Sequence, residues 1–264
     1  MIVKDYSIFY LPFWYSKQTR FRTIPRFFSW IIIYVIPVSL SFLFVSPEFN
    51  YFNLFKSLLA ILLVYNLYEI GYIYNDAETI KKEISPTLRL ESHQLQFYEN
   101  NKNNIYSFRF LVALLITFAL SFYDRVFIFL LASWAIIPAY ALYNSVRSRL
   151  NIPLHFVLVT LRYCSPVLLF TGGGGAYICF FMILLFPLIN TLERCTESRF
   201  KFDYFKDLFL TNRKNGRYVY YLILLIAGLT CCYIFGEYTF YVFSCYAFYY
   251  MAFRLLSAQV NLNE

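Results

Sequence analysis

The chain has 264 residues, 60% of them hydrophobic and 14% charged, with a formal net charge of +8. A water-soluble domain spreads charge over about a quarter of its residues, so this composition excludes one. The charges collect in short clusters between long apolar runs, which points to lipid as the surrounding medium, and no nucleic-acid partner is expected.

The expected fold is all-α: a single integral-membrane domain over 1–264, a polytopic bundle of about eight (eight to nine) spans with both termini cytoplasmic. Residues 1–26 form a cytoplasmic segment in which Tyr6, Phe9, Tyr10, Phe13 and Trp14 precede Lys17, Arg20, Arg22 and Arg26. It reads either as an amphipathic helix on the inner surface or as a weakly ordered membrane-facing tail. No cleaved signal peptide is expected, because the first apolar run follows these aromatic and basic groups without a small-residue cleavage site.

Crossing the hydrocarbon takes about 20 largely apolar residues. The runs that qualify are 27–46, 52–74, 105–123, 126–144, 152–171, 175–190, 218–236 and 238–257, the sixth being short. The four glycines at 172–175 read as a tight turn. Lys and Arg mark the cytoplasmic side, and they gather before the first run, in 75–104, at Arg147 and Arg149, and in 191–217. The 26 Tyr and 31 Phe suit lipid-facing helices and interfacial belts. Six cysteines lie mostly inside predicted spans without metal-site spacing and read as packing residues. No phosphate-binding glycine loop or nucleophile elbow is present.

The two long cytoplasmic loops, 75–104 and 191–217, are where function is expected. Leading into the first, Glu69, Asp76 and Glu83 stand at heptad spacing, on one face if the helix continues, with Asn75 and Thr79 beside them. Such oxygens are hard ligands of the kind Mg²⁺ accepts; the other reading is a solvated helix end with Glu-to-Lys pairing. At the second loop Asn190, Glu193 and Glu197 fall at i, i+3 and i+7, again one face.

These two clusters resemble the UbiA superfamily of membrane-embedded prenyltransferases, whose members carry Asn-Asp-x-x-Asp-x-x-x-Asp after the second helix and Asp-x-x-x-Asp after the sixth. Here Asn75 and Asp76 match the opening pair, Glu83 stands at the last acidic position, and Ser85-Pro86-Thr87-Leu88-Arg89 is similar to the family's Pro-x-x-Arg continuation. Glu193 and Glu197 match the second motif with Glu for Asp, while Thr79 replaces the middle Asp. The resemblance covers the plan of nearly the whole chain, but its specific part is two short segments, and the family usually has nine helices.

The resemblance implies a Mg²⁺-dependent transferase acting on an isoprenoid diphosphate or polyprenyl phosphate. Its catalytic and metal-binding residues would be Asn75, Asp76, Glu83, Glu193 and Glu197. Lys81, Lys82, Arg89, Arg194 and Arg199 would contact phosphate oxygens, the partners being an isoprenoid lipid substrate and membrane lipid. A variant of the same fold would transfer phosphoribose onto polyprenyl phosphate for cell-envelope glycans. Arg162, near the middle of the fifth run, is costly in hydrocarbon and is expected to face a polar cavity as a further substrate contact, or else to pair with a buried acid such as Glu69. His155 reads as packing. A small transporter and a noncatalytic relative that has lost metal chemistry with the Asp at 79 remain the other classes. Short loops fit a bacterial inner membrane.

Overall fold

The computed structural model describes residues 6–83, 86–123, 126–146, 148–171, 175–197, 200 and 213–259. Arg199, Arg147, Ser85 and Gly172 to Gly174 lie outside the described residues, as does 201–212 of the second long loop. Among the described residues every regular element is helical.

A strap precedes the bundle: a 3-10 turn at Ser7–Phe9 and the short helix α1 (Trp14–Thr19). The bundle helices are α2 (Ile24–Ser39), α3 (Tyr51–Ala77), α4 (Ser92–Ser121), α5 (Phe127–Ser145, jointed after Trp134) and α6 (Asn151–Thr171). Then come α7 (Ala176–Leu185), α8 (Pro187–Cys195), α9 (Arg213–Phe235) and α10 (Tyr238–Gln259). Local chemistry sets several ends. Asn50 caps α3, its side-chain oxygen accepting from the amides of Phe52 and Asn53. Glu91 and Gln94 form a reciprocal capping box at the start of α4. Gly236, at φ +67°, takes the left-handed conformation that ends α9.

Five helices are long and apolar enough to cross a membrane, or six if the pair α7 and α8, bent by 43°, is one span. α2 is shorter, and α10 carries a run of tyrosines that lowers its mean hydropathy. The most apolar stretch of α3 is 67% buried and that of α9 only 17%, so α3 runs through the middle and α9 along the outside. Leu111, Leu114, Leu115 and Phe118 of α4 and Ile223, Ile226 and Leu229 of α9 are exposed, an apolar surface too extensive for water and compatible with a membrane protein.

Three prolines interrupt the helical hydrogen bonding, one of them at the 43° bend between α7 and α8, and tyrosines serve the carbonyls nearby. A proline lacks the N–H that would bond the carbonyl four residues back. Pro37 thus frees the carbonyl of Ile33, where α2 widens into a π-turn at Ile31–Val35; Tyr250 donates to that oxygen at 2.8 Å and Tyr163 at 3.4 Å. Pro166 frees the carbonyl of Arg162, and the Tyr34 hydroxyl donates to it at 3.1 Å. At the bend before Pro187, Tyr220 and Tyr221 donate to the carbonyls of Leu184 and Leu185. Without water, a broken helix survives only where neighbours satisfy its backbone. Exposed rings such as Tyr51, Tyr233 and Phe118 suit a lipid-facing surface, while Tyr34, Tyr163, Tyr221 and Tyr250 are buried and serve the interior.

Candidate functional site

The strap is neither a surface helix nor a loose tail. Ile8, Phe9 and Tyr15 are buried against Ile73, Ala77, Tyr98 and Ile105 of α3 and α4. What holds it is an ion pair at 2.7 Å between Glu69 of α3 and Arg109 of α4, both wholly buried. The Arg109 guanidinium also donates to the carbonyls of Phe9 at 2.8 Å and of Ile8 and Leu11 at 3.2 Å, and to Asn66 Oδ1 at 3.1 Å. Glu69 accepts from the amides of Phe13 at 3.0 Å and Ser16 at 2.7 Å, so a carboxylate from another helix caps α1. Phe13 adopts φ +67°, a conformation an L side chain enters only when its surroundings enforce it.

The strap ends at Arg20, which meets Asp76 at the end of α3. The Asp76 carboxylate accepts from Arg20 Nη2 at 2.9 and 3.0 Å, from Arg89 Nη1 at 3.2 Å, from the Tyr15 hydroxyl at 3.0 Å and from the Asn75 amide at 3.2 Å. Burial, then the neighbouring Asp76 charge, push the Tyr15 phenol well above its ordinary value, so it remains a donor. Burial opposes the charge on Arg20, but the Asp76 charge and hydrogen bond, with Tyr72 and Tyr140, together hold the guanidinium above its ordinary value.

Beside this cluster lie two cavities. One, of about 410 Å³, is polar and lined by Arg20, Arg89, Arg162 and Arg194, with Asn75, Glu83, His155 and Asn190. The other, of about 360 Å³, is lined mainly by Phe21, Trp30, Ile33, Tyr34, Tyr163, Phe186 and Phe253. Arg20, Tyr72 and Arg162 line both. The Arg162 guanidinium is ringed by Tyr34, Tyr68 and Tyr163 at 5.2–5.5 Å from the ring centres, and its buried Nε has no hydrogen-bond partner among the described residues. Four arginines and one glutamate on its wall give the polar cavity an excess of positive charge, beside an aromatic annex.

Of the residues expected from sequence, Asn75, Glu83, Arg89, Arg162 and Arg194 meet on the polar cavity. Asp76 stands behind its wall, engaged with Arg20 and Arg89. Glu193 is buried and paired with Arg217 through both of its oxygens. Glu197 lies past the end of α8, half exposed, 3.5 Å from Arg194. Lys81 pairs with Glu78 and Glu99, and both Lys81 and Lys82 line a separate lateral cavity of about 570 Å³ with Tyr106 and Asn144.

Three expectations are corrected. Glu69, Asp76 and Glu83 do not share a face, because α3 stops at Ala77 and tightens into a 3-10 turn at Thr79–Lys82, which turns Glu83 away. Arg162 does not pair with Glu69, whose cation is Arg109. His155 is not a packing residue: its Nε2 lies 2.8 Å from Asn190 Oδ1 on the polar wall. Sequence reasoning also missed Arg20, taken as a topology signal, and Arg109, although Arg109 interrupts an apolar run as Arg162 does.

Asn75 and Glu83 offer hard oxygen donors on the cavity wall, a fit for Mg²⁺ that arrives with a phosphate and keeps most of its other ligands as water and phosphate oxygen. Among the described residues no three His, Cys, Asp or Glu side chains form a ready cage.

Compared with protein families, with curated proteins and with solved structures, the chain finds no match in any of the three.

Proposed function

We propose that this protein is a membrane-embedded transferase of UbiA type acting on an isoprenoid diphosphate or polyprenyl phosphate. The observation that carries the reading is Arg162, a cation without a carboxylate partner among the described residues, placed where a cationic chamber meets an aromatic one. A lipid phosphate has that form: a compact polyanion on a long apolar chain. Arg20, Arg89, Arg162 and Arg194 bind the phosphate oxygens, arginine being suited to them by its planar fork of donors. Trp30, Tyr34, Tyr163, Phe186 and Phe253 enclose the first isoprene units and exclude water.

With a diphosphate donor, the bond between the isoprenoid carbon and its oxygen breaks and the electron pair leaves on the diphosphate. The acceptor nucleophile forms the new bond and releases its proton. The arginines stabilise the charge that grows on the leaving oxygen. Asn75 and Glu83 would hold Mg²⁺, which supplies further neutralisation of the leaving group when bound.

In this reading eight helices span the membrane, both termini and the polar chamber lie on the cytoplasmic side, and the membrane is a bacterial inner membrane. The basic clusters at 17–26 and 81–89 support that orientation.

The experiment is turnover by purified protein in detergent with Mg²⁺, against prenyl diphosphates with aromatic acceptors and against polyprenyl phosphate with phosphoribosyl diphosphate. Turnover in one panel that Arg162→Ala abolishes is the expected result and names the donor. Silence in both panels, with no binding of either lipid, overturns the reading.

A further inference from the structure

We infer that Asp76 is a positioning residue that holds Arg20 and Arg89 as an anion-binding pair, so that the strap at residues 6–20 forms one wall of the substrate site. The inference rests on the lipid-phosphate reading above and assigns to Asp76 a role other than metal ligand.

The first argument is saturation. A carboxylate offers about four lone-pair directions. Both Asp76 oxygens are already taken: Oδ2 by the Tyr15 hydroxyl and Arg20, Oδ1 by Arg20, Arg89 and the Asn75 amide. A metal ion would have to displace two arginines that face the same chamber. Asp76 is also 1% exposed and is not itself on the cavity wall, whereas both of its arginines are.

The second argument is what Asp76 leaves free. Arginine has five N–H donors in a fixed plane. Arg20 gives Nη2 to Asp76, while its buried Nη1 has no partner among the described residues, and Arg20 lines both chambers. The Tyr72 ring lies 4.4 Å beneath the guanidinium and fixes its plane. One edge of Arg20 is thus anchored and another is offered to a ligand. Arg89 enters from the segment after α3, with one nitrogen on the same carboxylate and a side chain still 31% exposed.

The third argument is assembly. Arg20 reaches the chamber only because the strap is folded inward, and the strap is fixed at its far end by Glu69 and Arg109 and at its near end by Tyr15 and Asp76. Three chain segments meet at one carboxylate, which sets the spacing of two cations from different parts of the sequence. Such preorganisation raises affinity because the cations need no reordering when the anion enters.

The test is binding of a farnesyl diphosphate probe to the full-length protein in detergent, by calorimetry, in EDTA and again with Mg²⁺. The variants are Asp76→Asn, Arg20→Gln, their double mutant, and the exposed Lys17→Gln as control, each checked for an unchanged unfolding temperature. In EDTA, Asp76→Asn and Arg20→Gln should each weaken binding by about tenfold or more, the double mutant should be no weaker than the worse single, and Lys17→Gln should match the wild type. If Asp76→Asn leaves the metal-free affinity intact and removes only the Mg²⁺-dependent part, or if the two losses multiply, the positioning role is overturned. If Asp76→Asn does not fold, Arg20→Gln still decides, because an unchanged affinity there overturns the proposal. A wild type that binds no lipid phosphate overturns the functional reading as well, whereas wild-type binding insensitive to these variants overturns this inference alone.

Discussion

Glu69 and Arg109 face each other at 2.7 Å from two different helices, with neither side chain open to solvent. Every oxygen and nitrogen of the pair is engaged, largely by the backbone of the strap, which is why two charges are tolerated there. Replacing Arg109 by Leu leaves an uncompensated carboxylate and orphans three carbonyls. The expected cost is about 3–5 kcal/mol, read as a fall in unfolding temperature in detergent. The double variant Glu69→Gln, Arg109→Leu should recover part of that loss.

Tyr34→Phe removes only a hydroxyl and no packing volume. It leaves the Arg162 carbonyl, freed by Pro166, without its partly buried donor. Denaturant unfolding should show about 1–3 kcal/mol of destabilisation, the cost of one buried unsatisfied carbonyl. Tyr249→Phe, whose hydroxyl serves Ile32 from a partly exposed position, should cost less.

Gly71 lies against the ring of Tyr140, and a Cβ added there would stand 2.2 Å from the ring. Gly71→Ala must push Tyr140 aside, and Tyr140 lines both the polar and the lateral cavity. Overpacking of about 1–3 kcal/mol is expected, together with weaker lipid-phosphate binding. A double-mutant cycle with Tyr140→Leu should show the two changes strongly coupled.

Arg162→Lys keeps the charge and loses the planar fork and its contact with three tyrosine rings. Affinity for a lipid diphosphate should fall by about tenfold, equivalent to about 1.4 kcal/mol. Equal affinity in the two proteins would mean that simple charge, and not the guanidinium geometry, makes the site.

The apolar runs were legible in the sequence as helices because hydrocarbon imposes a length on any helix that crosses it, and five of these helices, or six with the bent pair, are long and apolar enough to cross. The acidic clusters were legible as residue types but not as geometry. Glu193 turns to Arg217 and Asp76 to Arg20 and Arg89, pairings set by tertiary packing rather than by helical spacing. The repairs at the prolines were hidden for a related reason: each proline is visible locally, but Tyr250 is 217 residues from the Ile33 carbonyl it serves. The strap was misread because its aromatic and basic pattern suits a membrane surface equally well, and its true partner, Arg109, lies 100 residues away.

The inward fold of the strap also sets an order of biosynthesis. Residues 6–20 leave the ribosome before Arg109, which belongs to a helix made some 100 residues later. Until that helix has been inserted, Glu69 has no cation, the strap has no seat, and Arg20 cannot reach the chamber. A nascent chain arrested before residue 109 therefore carries this segment undocked, and Arg20 joins Arg194 on the wall of the polar cavity only once both later segments have been made.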